Sequence, residues 1–147
     1  MRDSIFEDLS EHELEEILKF TEEVTLPPSS VIFKQDSAGD SLYIIKKGTA
    51  SLVKKNELGE EFSMGTAEPG MFLGELAILD GGRQPFTATS TTEIVVLRIT
   101  RDKLDLLYKV NKKILCKFYL SLIRYVNFRL RKANEGFAAS RSSMQKL

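Results

Sequence analysis

The stretch Phe72-Leu73-Gly74-Glu75-Leu76-Ala77-Ile78-Leu79-Asp80-Gly81-Gly82-Arg83-Gln84-Pro85-Phe86-Thr87-Ala88-Thr89 carries more information than any other part of the chain. It opens on two apolar residues suited to a short strand. It then passes through Gly-Glu into a one-turn helix over Leu76 to Leu79. A glycine pair, an arginine and the strand-forming Thr-Ala-Thr follow. The start of a short helix leaves backbone amides without intrahelical partners, and such amides suit an anion. Gly74 lets the backbone approach closely, and Arg83 adds a fixed charge whose fork fits phosphate. Glu75 offers a carboxylate to sugar hydroxyls. On chemistry alone the segment is either a phosphate site or a plain turn.

On both sides of this segment, from Val31 to Ile99, the pattern is of short strands divided by turn residues. Val31-Ile32-Phe33 ends at Asp36-Ser37-Ala38-Gly39-Asp40, and Leu42-Tyr43-Ile44-Ile45 ends at Lys46-Lys47-Gly48. Ala50 to Val53 and Glu61 to Met64 flank Asn56-Glu57-Leu58-Gly59, a hairpin turn by composition. Val95, Leu97 and Ile99 alternate with Val96 and Arg98, as in a strand with one wetter face. Regular strands at this spacing predict a small antiparallel barrel or jelly roll.

Helical periods bracket the strands. Ser4-Ile5-Phe6-Glu7 and Ser10-Glu11-His12-Glu13 both fit the capping box. Phe6, Leu9, Leu14, Ile17, Leu18 and Phe20 then make one apolar face, which predicts helices over 1–26, stopped by Pro27-Pro28. After Thr100, Leu104 and Leu107 begin a short helix, and Asn111 can cap a longer one. There Leu115, Phe118, Tyr119, Leu122, Val126 and Leu130 recur every three or four residues. Ile114, Ile123 and Phe128 widen the stripe beyond one face, and dimerisation is its simplest use. Residues 135–147, rich in serine and alanine, read as a disordered tail.

Composition excludes several classes of function. With 147 residues the chain has room for one domain and an appended helix. Twenty-one basic residues balance twenty-one acidic ones, which argues against a generic nucleic-acid binder. The balance hides an asymmetry: residues 1–70 carry 15 acidic and 7 basic side chains, while residues 109–134 carry eight basic and no acidic ones. That basic helix either solvates its charges or docks an anionic partner. Cys116, alone, excludes an intrachain disulfide and a multi-cysteine zinc site. It reads as a small interior or interface side chain. His12, also alone, sits on a polar helical face, and one histidine argues against a histidine metal centre. No apolar stretch reaches membrane-spanning length, and the acidic N-terminus is unlike a secretory signal. A cytoplasmic protein is expected.

In this order and spacing the pieces resemble the cyclic-nucleotide-binding domain shared by the bacterial catabolite activator protein, kinase regulatory subunits and cyclic-nucleotide-gated channels. Phe6 to Ile17 is similar to its leading helix, Pro28 to Phe33 to its first barrel strand, and Gln35 to Gly48 to its glycine-punctuated second stretch. Glu68 to Leu79 is similar to the start of its phosphate-binding cassette. The resemblance implies a mainly β fold, an eight-stranded antiparallel β-roll (double-stranded β-helix, jelly-roll-like) with an N-terminal helix and a long C-terminal helix. Its implied domain spans 1–134, with the roll over 28–99 and C-terminal helices over 100–134.

Site roles follow from the resemblance position by position. Gly74 and Glu75 match the Gly-Glu pair whose carboxylate takes the ribose 2′-hydroxyl. Leu76 and Ala77 match the positions whose amides approach the cyclic phosphate, and Thr87-Ala88 the hydroxyl and alanine after the cassette arginine. The arginine is displaced. Anchored on Thr87-Ala88 its position holds Phe86, and counted without gaps from Gly74 it holds Gln84. A one-residue shift brings Arg83 there, which otherwise reads as a loop arginine beside Asp80. Arg124, Tyr125, Phe128, Arg129 or Lys132 supplies a lid contact from the last helix.

The expected function is a regulatory module that binds a cyclic nucleotide of the cAMP or cGMP type and signals through its C-terminal helix. The alternative is a degenerate roll, without nucleotide, that serves dimerisation or protein docking. A cupin-type metal enzyme lacks its ligands here, so neither catalysis nor a cofactor is expected. The partners expected are the nucleotide, a second copy through residues 111–133, and a separate effector protein. Too few residues follow Asn134 for a helix-turn-helix, so direct DNA binding is not expected, nor is a membrane partner.

Overall fold

A computed structural model describes Phe6 and residues 8–145, with side chains as far as Arg141. Helix α1 spans Glu11–Leu18, followed by strands β1 (Glu22–Leu26), β2 (Val31–Phe33), β3 (Ser41–Lys47), β4 (Ala50–Lys55), β5 (Glu61–Ala67) and β6 (Phe72–Leu73). Then come helix α2 (Glu75–Asp80), strands β7 (Thr87–Ser90) and β8 (Ile94–Thr100), and helices α3 (Arg101–Val110) and α4 (Lys112–Gln145). The strands form two antiparallel four-stranded sheets, in the orders β1-β8-β3-β6 and β2-β7-β4-β5. This is the expected mainly β roll with an N-terminal helix and a long C-terminal helix.

Two apolar cores explain the layering. Phe33, Ile45, Leu52, Leu73, Phe86, Ala88, Ile94 and Val96 fill the interior of the roll. Leu42, Ile44, Phe72, Leu97 and Ile99 pack instead against Ile17 of α1, Leu104 and Leu107 of α3, and Ile114, Phe118 and Leu122 of α4. The first sheet is therefore covered on both faces, and β3 and β8 bury neighbouring residues rather than alternate ones. The single wetter face expected of β8 is corrected on this point: Val96 is as buried as Ile99, because the roll takes one face and the helices the other.

The helix expected over 1–26 ends at Leu18, and Glu22–Leu26 is a strand. Its five residues pair in register with β8, from Glu22 opposite Arg98 to Leu26 opposite Ile94. Pro27-Pro28 thus closes a strand, and the roll begins before residue 28. The capping box at Ser10 is present in full, with Ser10 Oγ accepting from the Glu13 amide and Glu13 accepting from the Ser10 amide. The one at Ser4–Glu7 lies outside the described residues, Phe6 apart. Asn111 Oδ1 accepts from the Ile114 amide, as an N-cap does. At the other end α4 runs on to Gln145, through most of the segment expected to be disordered.

Candidate functional site

The site is built on Gly74, whose backbone lies in the left-handed region at φ 80°. A Cβ there would stand 2.8 Å from the Ser41 carbonyl oxygen of β3, so the αL turn and the close packing both require glycine. The turn ends β6 and starts α2. Gly39 closes the other side, its Cα so near α2 that a Cβ would fall 2.3 Å from that of Ala77. Asp80 Oδ1 then accepts from the Gly82 amide, and Arg101 Nη2 donates to the Ile78 carbonyl oxygen, which fixes the far end of α2.

Glu75, the first residue of α2, is 3% exposed. Burial pushes its carboxyl above the ordinary value, while a backbone amide and Arg129 pull the other way. The Arg129 guanidinium reaches it from α4, with Nη1 donating to Glu75 Oε1 at 3.4 Å. One turn earlier Tyr125 donates its hydroxyl to the Phe72 carbonyl oxygen at 3.2 Å, and burial raises its pKa to about 12. The Tyr125 ring lies edge-on to Phe72 at 5.2 Å, and the Arg129 guanidinium sits over the Tyr125 ring at 5.8 Å. Residues on both sides of Gly74 are thereby tied to the terminal helix.

Of the expected site residues the structure brings together Gly74, Glu75 and Ala77, all buried, with Leu76 beside them but 41% exposed. Ala88 is buried on the inner face of β7, opposite Leu52. Two residues stand apart. Arg83 is exposed and donates from Nη1 to the Asp36 carbonyl oxygen at 2.7 Å. Thr87 pairs with Val53 and lines an open cleft of about 520 Å³ with Val31, Gln35 and Lys55, where its hydroxyl accepts from the Gln35 amide. Phe86, another candidate for the arginine's place, is core packing 5.9 Å from Phe33.

Sequence reasoning weighs Gln84 only as a place for the arginine and gives it no ligand role of its own. It is 3% exposed, its side-chain nitrogen lies 3.5 Å from where a Gly74 Cβ would be, and its Oε1 has no hydrogen-bond partner among the described residues. Its backbone is held on both sides, the amide by the Ser37 carbonyl and the carbonyl by the Asp36 amide. The signal was in the sequence: Gln84 is the ungapped arginine position counted from Gly74. Among the lid candidates, Tyr125 and Arg129 touch the cassette. Arg124 pairs with Asp8, Lys132 with Glu135, and Phe128 is 59% exposed.

The model of the cyclic nucleotide-binding domain matches residues 23–111. The chain belongs to this family. It is 29% identical over 103 residues to the CRP-like cAMP-activated global transcriptional regulator of Mycobacterium tuberculosis, covering 70% of this chain and 46% of that protein. It is 26% identical over 98 residues to the cAMP-dependent protein kinase regulatory subunit of Yarrowia lipolytica, covering 67% of this chain and 25% of that one. The catabolite activator protein of Thermus thermophilus shares the fold, with a TM-score of 0.80 at 23% identity over 95% of this chain and 63% of that one. The chain thus spans less than half the length of the two curated relatives named. Both are regulators by name, and the family is regulatory rather than catalytic.

Within the cyclic nucleotide-binding domain the matched part runs from β1 to the cap of α4 and contains the whole cassette. The roll is open along β5. Every residue of β5 except Ala67 is exposed, including Phe62 at 50% and Met64 at 47%. Gly65 has φ 113° and is the register partner of the buried Leu52, yet a Cβ on it would meet nothing within 4 Å. Among the described residues no helix is long and apolar enough to cross a membrane.

Proposed function

We propose that the chain is a regulatory module that binds a cyclic nucleotide of the cAMP or cGMP type in its roll and signals through α4, in a homodimer that joins through the helix of residues 111–133. The observation that carries the reading is the Arg129–Glu75 contact. It sets a buried carboxylate of the cassette against the terminal helix, so a ligand that competes for Glu75 favours one position of α4 over another. Phe62 and Met64 on the open β5 offer apolar surface to a base, and Gln84 Oε1 supplies a buried acceptor with no partner of its own. Arg83 is held at Nη1 by the Asp36 carbonyl.

The names of the two relatives carry cAMP, which supports trying that nucleotide first. Displacement of a fluorescent cAMP derivative tests the site. Glu75→Ala abolishes binding and Gln84→Ala weakens it about tenfold, the worth of one buried hydrogen bond. Arg83→Ala changes affinity by less than about threefold, since its guanidinium is engaged elsewhere. Equal binding by wild type and Glu75→Ala overturns the assignment.

A further inference from the structure

From Arg83 to Ser90 the chain alternates across the wall of the roll. Gln84, Phe86, Ala88 and Ser90 are buried, while Arg83, Pro85, Thr87 and Thr89 between them reach solvent. That is the two-residue period of extended chain, and it starts before β7, where Arg83 bridges Ala38. Phe86 and Ala88 belong to the interior core. Gln84 therefore carries the inner row on to Gly74, and the same alternation turns Arg83 outward. The two polar members of the row differ. Ser90 Oγ accepts from the Ser30 amide at 2.9 Å and donates to the Pro27 carbonyl oxygen at 2.8 Å. Gln84 Oε1 is buried with no partner among the described residues. A lone buried acceptor weakens a fold, and an apolar side chain of similar size would pack there without that cost.

We infer that Gln84 sets the specificity of the ligand site: it selects an uncharged group that both donates and accepts a hydrogen bond, as a hydroxyl does, over the anionic oxygen of a phosphate. This rests on the ligand site proposed above and names what its floor reads. The Gln84 amide offers an oxygen that accepts and an NH2 that donates. A hydroxyl satisfies both. A phosphate oxygen only accepts, so it leaves Oε1 orphaned. Nor does a cation stand ready for it. Among the described residues Arg101 bonds the Ile78 carbonyl, Arg129 bonds Glu75, and Arg83 bonds the Asp36 carbonyl on the outer side. An anion brought to a buried place without a paired charge loses its hydration for no ionic return. The phosphate of a cyclic nucleotide thus adds little affinity at this floor. An uncharged nucleoside, with its free ribose hydroxyls, fits at least as well.

The test is isothermal titration of the full chain with cAMP and with adenosine, beside thermal melts of the free proteins. Wild type is expected to bind the two ligands within about threefold of each other. Gln84→Arg tightens cAMP by about tenfold or more and leaves adenosine no tighter, because a guanidinium forms an ion pair with the phosphate alone. Gln84→Leu buries no charge, and so keeps the test open where the arginine disturbs the roll. It melts higher than wild type, since the orphaned oxygen is gone, yet binds adenosine about tenfold more weakly. A side chain kept only for packing would not split stability from binding in this way. Wild type that binds cAMP more than about tenfold tighter than adenosine overturns the selectivity. So does a Gln84→Leu variant that melts lower and binds as wild type does. No heat from either ligand, with wild type and Gln84→Arg alike, overturns the ligand site itself and the selectivity with it.

Discussion

At the scale of single residues, the cassette combines positions that weaken the fold with positions that exploit its tolerance. Glu75 is a carboxyl placed where burial disfavours its charge. Because its pKa is raised in the folded chain, its contribution is greatest below the ordinary carboxylate value of 4.5 and is lost as pH rises through the folded value. Glu75→Gln therefore melts progressively higher than wild type as pH climbs from 4.5 through the raised folded value, above which the gap stays constant, as paired thermal melts would show. A gap that narrows with rising pH contradicts the burial account. Gly74→Ala is destabilising by roughly 1–3 kcal/mol, from a left-handed alanine pressed against the Ser41 carbonyl. Urea midpoints check it, and an unchanged midpoint shows that the turn relaxes.

At the scale of elements, α3 and α4 touch the site through a few named bonds, and α1 is tied to α4. Glu13 closes the cap of α1 and also accepts from Lys117 Nζ of α4 at 2.9 Å, which holds its carboxyl down at about 2. A lowered pKa means stability present above 4.5 and lost as pH falls from there toward about 2. Glu13→Gln should thus cost stability near neutrality and cost nothing at the acid end of that window, as melting curves at successive pH values would reveal. The sequence made α1 legible because its cap and apolar period agree. β1 was hidden for a physical reason: its apolar alternation is only two residues long, Val24 and Leu26 beside the exposed Glu22, Glu23 and Thr25, and its pairing with β8 is visible only in three dimensions. The extent of α4 was hidden too. Its last turns lack an apolar face wide enough to pack on the roll, and serine and alanine there look like a tail.

At the scale of the whole molecule, the roll and its flanking helices were readable because strand lengths, turns and glycines repeat in a fixed order. The cassette was readable to Ala77 and uncertain after it. Sequence spacing alone left Arg83, Gln84 and Phe86 competing for one place. Packing separates them: Phe86 belongs to the core, Arg83 to the Asp36 loop, and Gln84 to the floor beside Gly74. Neither lid contact could be chosen from spacing, since Tyr125 and Arg129 differ from Arg124 and Lys132 only in which way the helix turns them. The account joins a ligand site to a helix through Glu75 and Arg129, and it requires that the site be used. Isothermal titration of the purified chain with cAMP and with cGMP tests this most directly. The expected result is one site per chain for at least one nucleotide at micromolar affinity or better, about −8 kcal/mol. No heat with either at millimolar concentration would contradict it.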